Sequence, residues 1–239
     1  MIKSAAKRFL LNFGLDVRRA KRPVHPNSIG YGGNQWDFSP LQPASLDPDL
    51  VVDVGVAWGT PELYEAFPSA RLLLVEPIVE FNQKIEELVA KRDYKLVNIA
   101  AGESTGDFLL HFNADRPHQS SLHKRSLHDG TTRKVELAPI DEIVGDEKGE
   151  RIVLKIDVEG GEVEALRGAT NTLHRSVCVF VEVNMGYMFD APRNPLPEVT
   201  NILSAHGFTL FQVMDAAIEK SQGLMSVSKV DLCYIREQA

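Results

Sequence analysis

Two carboxylates mark the part of this chain best equipped for chemistry. Asp157 and Glu159 follow directly on Val153-Leu154-Lys155-Ile156, and Gly160, Gly161 and Glu162 come next, where a helix should begin. A parallel strand buried on both faces reads as a near-continuous apolar run. Open α/β sheets bind ligands just past the carboxyl ends of such strands. The spacing therefore predicts Asp157 and Glu159 at the mouth of a site. A carboxylate there can take a proton, orient a hydroxyl or help hold a cation. Either one can instead cap the following helix or pair with Lys155.

Two further segments carry similar signals. Val52-Asp53-Val54-Gly55-Val56-Ala57-Trp58-Gly59-Thr60 reads as a strand, a glycine turn and the start of a helix. Glycines let the backbone approach a ligand, and a helix N-terminus offers unpaired N–H groups. The segment matches neither the G-x-G-x-x-G of dinucleotide sites nor a phosphate loop ending in Gly-Lys-Ser/Thr. About twenty residues on, Leu73-Leu74-Val75 runs into Glu76-Pro77. A carboxylate in that place can accept both hydroxyls of a ribose.

The elements that must position these groups alternate strand and helix from Leu50 onward. Strands are expected at 51–56, 71–76, 95–100, 152–157 and 178–183, and helices at 61–67, 81–91, 162–173 and 196–205. Thr60 and Pro61 read as an N-cap and a first-turn proline. Two extra strands at 107–112 and 133–137 interrupt the alternation, enclosing a polar segment with His118, His123 and His128, and His111 just before it. A hairpin pair at 208–213 and 232–236 closes the chain. Repeated βα units imply a mainly parallel sheet with right-handed crossovers.

The chain has 239 residues, 44% hydrophobic and 25% charged, with a net charge of -7. That length suits one large α/β domain with an extension. Residues 1–25 hold seven Lys and Arg against the single acid Asp16, and the remainder is acidic. A nucleic-acid-binding core would show the reverse balance. The basic start lacks the sustained apolar segment of a secretory signal. Interleaved with Phe9, Leu10, Leu11, Phe13 and Leu15, residues 1–22 can lie on a membrane surface or pack on the domain's own flank. Residues 21–50 form a connecting arm without usable period, so the expected division is an extension over 1–49 and a domain over 50–239. Cys178 and Cys233, both in apolar runs, read as reduced core residues of a cytoplasmic protein.

Together the segments resemble the FkbM family of S-adenosylmethionine-dependent methyltransferases. The resemblance rests on Asp53-Val-Gly55…Gly59, Glu76-Pro77, Asn98-Ile-Ala-Ala-Gly102, Ser120-Ser121-Leu122, Val181-Glu182-Val183 and, most specifically, Leu154-Lys-Ile-Asp157-Val-Glu159-Gly160…Glu162. It implies a Rossmann-like class I methyltransferase: α/β, with a mostly parallel seven-stranded sheet, helices on both faces, a β insertion after the third strand and a basic N-terminal extension. It implies S-adenosylmethionine held by the turn Asp53, Gly55, Ala57, Gly59 and Thr60, by Glu76 and Pro77, and by Ala100, Ala101 and Asp157. The family usually has Asn where this chain has Ala57, and a smaller or aliphatic residue near Trp58.

The expected reaction is methylation of a hydroxyl, of a sugar in a glycan, glycolipid or secondary metabolite. Methyl transfer from a sulfonium needs an aligned acceptor and removal of its proton, which makes Asp157 and then Glu159 the catalytic candidates. A rival chemistry places Mg²⁺ on Asp157, Glu182 and Asn184 to polarise the hydroxyl. Glu182 and Asn184 can equally bind substrate. The histidine-bearing insertion reads as a lid in which Ser120 and Ser121 reach cofactor or acceptor, and Tyr187 and Phe189 sit where aromatics can stack on sugar. The alternatives are a non-catalytic nucleotide-binding or scaffold protein that keeps the fold, and an NAD-dependent oxidoreductase, which the glycine pattern disfavours.

Overall fold

A computed structural model describes residues 36, 38–41, 43–112, 116–124, 130–185, 194–221 and 224–236. Among these residues ten strands form two sheets. The larger takes β1 (Leu50–Val54), β2 (Arg71–Val75), β3 (Tyr94–Val97), β7 (Ile152–Ile156), β8 (Ser176–Asn184), β9 (Phe208–Ser221) and β10 (Leu224–Arg236), in the spatial order β3-β2-β1-β7-β8-β10-β9. The five strands from β3 to β8 are mutually parallel, while β10 runs antiparallel to both β8 and β9. The sheet is therefore mixed, with its parallel part carrying the βα repeats seen in the sequence. This is the expected Rossmann-like arrangement. The smaller sheet joins β4 (Ala100–Ala101), β6 (Thr132–Ala138) and β5 (Gly106–His111) and is the expected insertion after the third strand.

The central strands are apolar throughout because both faces are covered. Helices α2 (Pro61–Ala66) and α3 (Asn82–Val89) pack Leu63, Tyr64, Ile85 and Val89 on one face. On the other, α4 (Ile140–Val144), α5 (Glu162–Arg167), α6 (Thr170–Arg175) and α7 (Leu196–Ala205) contribute Ile140, Val163, Leu166, Leu173, Val199 and Leu203. A short turn of helix, α1 (Pro43–Leu46), precedes β1.

Several expectations need correction. The third strand ends at Val97, not at residue 100. Asn98 bends the chain there, donating from Nδ2 to the Glu76 carbonyl at 2.8 Å, and Ala100–Ala101 leaves to pair with β6. The helix expected over 162–173 is two helices. Gly168 breaks it where the backbone comes so close to the Gly102 carbonyl that a Cβ would lie 2.1 Å from the oxygen. The Asp141 carboxylate then accepts from the amides of Asn171 and Thr172, capping the second helix from a distance in sequence. The closing hairpin is more than twice the expected length. Three register shifts along β10 break the two-residue alternation that would have shown it.

The arm before residue 50 also belongs in part to the domain. Trp36 stacks on Phe180 with ring centroids 5.3 Å apart, Phe38 meets the same ring edge-on, and Phe38, Leu41 and Leu46 are buried with the core. The boundary at 49/50 is thus crossed by apolar packing. Thr60 stands at the N-cap position of α2, but its hydroxyl donates to Asp53 instead of capping the helix. Cys178 and Cys233 are buried free thiols with sulfurs 3.6 Å apart. Among the described residues no helix is long and apolar enough to cross a membrane. Residues 1–22, His128, Tyr187 and Phe189 lie outside the described residues.

Candidate active site

A cavity of about 310 Å³ opens at the carboxyl ends of β1, β2, β7 and β8, beneath the insertion. That volume lies at the lower end of the range of about 300–1,000 Å³ usual for small-molecule sites. Of the residues singled out in the sequence, Gly55, Ala57, Gly59, Thr60, Glu76, Pro77, Ala100, Ala101, Ser120, Asp157, Glu159 and Glu182 line it.

The first wall is the turn after β1. Gly55 has φ +81° and lies so close to the next loop that a Cβ would sit 1.7 Å from the Asp157 carbonyl oxygen. No other residue type fits there without parting the two strand ends. Ala57 holds φ +45°, a left-handed conformation that costs an L-residue about 1–2 kcal/mol and that Asn adopts more readily. The strain is balanced by a bond from the Ala57 amide to Glu76 Oε2 at 2.8 Å.

Glu76 takes a second amide, from Ile78, on Oε1 at 2.9 Å. Two backbone donors therefore fix the plane of its carboxylate, and each oxygen keeps a lone pair for a further donor. Burial is the largest influence on this group and pushes its pKa up to about 7, against the stabilising amide bonds. Ile78, Phe81, Ile99 and Leu110 supply apolar surface on either side. Trp58, noted in the sequence as a departure within the turn, forms the rim. It is half exposed, edge-on to Phe81, and carries the Lys84 ammonium 4.0 Å over its ring.

Asp53 does not reach the cavity. It is fully buried below it, accepting from Thr60 Oγ1, from Tyr64 Oη at 2.7 Å and from Lys155 Nζ at 3.1 Å. Lys155 projects from the middle of the apolar β7 and also meets Asp157 at 3.5 Å. Burial alone would lower the lysine pKa. Asp53 and Asp157 more than offset this and hold it above the usual lysine range.

Elsewhere on the cavity lining, one oxygen from each of Asp157, Glu159 and Glu182 lies within 4.8 Å of the others, which adds Glu159 to two members of the expected trio. Asn184 is buried behind Glu182, to which its Nδ2 donates at 2.9 Å. It does not line the cavity directly. Ser121 is also withdrawn: it is buried, and its hydroxyl donates to the Glu159 carbonyl at 2.6 Å. Lys229, which the sequence reading missed, pairs with Glu182 and lines the cavity from β10. Against the cost of burial, Glu182 and Asp231 hold the Lys229 ammonium above its ordinary pKa. The overlooked signal is Lys229-Val-Asp231, two charges on one strand face, which lay before the expected start of that strand. His118 is the histidine of the insertion that reaches the cavity among the described residues. Burial, with Arg116, lowers its pKa.

The sequence pattern of the methyltransferase FkbM domain matches residues 53–210, which include every cavity-lining residue just described except Lys229. The chain belongs to the FkbM methyltransferase family. Among solved structures, this FkbM chain is similar to the methyltransferase FkbM from Methylobacillus flagellatus KT, with 17% identity and a TM-score of 0.49 over 79% of this chain. The chain spans only 44% of that structure's length. It is also similar to the fibrillarin pre-rRNA processing protein of Methanococcus jannaschii (12% identity, TM-score 0.44, 92% of this chain and 87% of that one). A third likeness is to the ribosomal protein L11 methylase of Lactobacillus delbrueckii subsp. bulgaricus (16% identity, TM-score 0.44, 87% and 82%). No curated protein matches the chain.

Proposed function

We propose that this FkbM-family chain is an S-adenosylmethionine-dependent O-methyltransferase acting on a hydroxyl of a sugar in a glycan, glycolipid or secondary metabolite. The observation that carries the reading is one cavity containing three complementary parts: the fixed Glu76 carboxylate, an apolar slot, and the carboxylates of Asp157 and Glu159. These suit a ribose diol, a flat base and a positive charge in turn. When bound, S-adenosylmethionine supplies an electrophilic methyl on a sulfonium whose departure needs no proton.

The protein's own residues then have limited tasks. Glu76 accepts the ribose hydroxyls, and Ile78 and Phe81 exclude water from the base. Asp157 orients the acceptor hydroxyl and takes its proton, with Lys155 fixing the carboxylate from below. General-base help of this kind contributes about 10²–10⁴-fold, and positioning supplies much of the remainder. Cavity-lining Glu76, Asp157, Glu159 and Glu182 outnumber Lys155 and Lys229, which disfavours polyanionic acceptors such as nucleic acid. Residues 1–22 are proposed to bring the enzyme to the inner membrane surface of the cytoplasm.

Calorimetry with S-adenosylmethionine against NAD tests the cofactor: binding of the first and not the second is expected, and the converse overturns the reading. Asp157→Asn is expected to lower methyl transfer into glycan or lipid fractions at least 100-fold with cofactor affinity changed less than threefold. Equal activity would remove Asp157 from the base role.

A further inference from the structure

Ser121 and Glu159 stand in a relation that the proposed reaction does not use. Glu159 has φ +56°, in the left-handed region that bulky side chains avoid, and Gly160 follows at +111°. The conformation turns the chain sharply after Asp157 and brings the carboxylates of Asp157 and Glu159 together with Glu182. Within the loop, the Gly160 amide donates to Glu162 Oε1 at 2.6 Å. A second support comes from the insertion, where the Ser121 hydroxyl donates to the Glu159 carbonyl and accepts from the His123 amide at 3.0 Å.

Ser121 is in turn fixed to β5. Its amide and carbonyl exchange bonds with His111 at 3.1 and 2.8 Å, an isolated bridge that extends the small sheet. Two further contacts press the same segment onto the loop. His123 Nε2 lies 3.3 Å from Glu164 on α5, and Leu122 packs beside Gly161. The neighbouring Pro117, His118, Ser120 and Leu122 line the cavity. The small sheet, the cavity wall and the acid loop are thus joined through one hydroxyl.

We propose that Ser121 is a positioning residue: its hydroxyl latches the insertion to the Glu159 carbonyl and holds the acid loop in the left-handed turn that aims its carboxylates into the cavity. It acts through Glu159 and touches neither cofactor nor acceptor. The identity of the cofactor in the test rests on the function proposed above. Carboxylates aimed into the cavity favour a sulfonium over a neutral thioether, so the ratio of affinities for S-adenosylmethionine and S-adenosylhomocysteine reports their aim.

The experiment uses the full chain with Ser121→Ala and Ser121→Thr, titrated with both nucleosides, and hydrogen exchange read on peptides covering 157–162. In Ser121→Ala the loop amides should exchange at least tenfold faster. The affinity ratio should fall at least threefold through the sulfonium ligand alone, and Ser121→Thr should restore both. Unchanged loop exchange, or equal losses for the two nucleosides, overturns the latch. Should Ser121→Ala fail to fold, Ser121→Cys, which keeps the size but donates weakly, carries the same comparison. Failure of wild type to bind either nucleoside would sink the proposed function instead, and the exchange comparison would still decide the latch.

Discussion

Replacing Lys155 by Met should destabilise the fold strongly, because this cavity-lining lysine also neutralises a buried acid. The ammonium is 5% exposed and its Asp53 partner 0% exposed, so the substitution strands a carboxylate in the interior. Breaking a buried pair from one side costs about 3–5 kcal/mol. Thr60 and Tyr64 still donate to Asp53, which places the expected loss near 3 kcal/mol. For a chain of 239 residues that corresponds to a fall in Tm of about 6–12 °C, at about 2–4 °C per kcal/mol. With a urea m-value of about 2–3 kcal/mol/M, the midpoint should drop by about 1–1.5 M. The lysine pKa is raised in the folded state, so its contribution is complete below the unfolded value and is lost only as pH rises through the higher folded one. The deficit should therefore be the same at pH 6 and pH 9. Asp53→Asn combined with Lys155→Met should recover most of the loss, because no charge is then left buried. A single-variant loss under 1 kcal/mol, or a double variant no better than the single, would refute the argument.

Glu76 links cofactor binding to pH. With its pKa pushed up to about 7, affinity for S-adenosylmethionine should rise about tenfold between pH 6 and pH 8 as the carboxylate ionises and accepts the ribose hydroxyls. Glu76→Gln should flatten that dependence in a calorimetric titration. Stability of the free protein should move the other way. Glu76, and Glu162 with its pKa pushed by burial to about 8, favour the fold fully below the unfolded carboxyl value. That contribution is lost as pH climbs through the folded values, by up to about 3 kcal/mol for Glu76, and denaturant midpoints at pH 5 and pH 9 would show it. Methyl transfer should be insensitive to EDTA and to added Mg²⁺, because Lys155 and Lys229 already pair with Asp157 and Glu182. A chelator-dependent loss restored by Mg²⁺ would instead make the carboxylate trio a metal centre.

The parallel half of the sheet and three of the cavity walls were legible in the sequence because each rests on a local signal. An apolar run ends in an acid at Glu76 and Asp157, and a glycine turn separates strand from helix after Val54. What escaped depends on contacts distant in the chain. Lys155 could be seen in its strand, but its burial against Asp53 requires the register that sets those two residues side by side on β1 and β7. Trp36 and Phe38 sit in a proline- and glycine-rich arm with no period, and their place is set by the ring of Phe180, far along the chain and fully buried. Ser121 was readable as a polar residue near the site, yet its hydroxyl faces away from the cavity, into the backbone of the loop. The length of the β9–β10 ribbon was hidden by its own bulges.

The near-contact of Gly55 with the Asp157 carbonyl has a mechanical consequence. Two loops from neighbouring strands, one expected to cradle the cofactor and the other to carry the acids, touch backbone to backbone and cannot shift independently. They also share Lys155, whose ammonium lies 3.4 Å from the Gly55 carbonyl and 3.5 Å from the Asp157 carboxylate. The cavity thus has a rigid floor, and any adjustment to the shape of a ligand falls to the side lined by Leu110, Pro117, His118, Ser120 and Leu122.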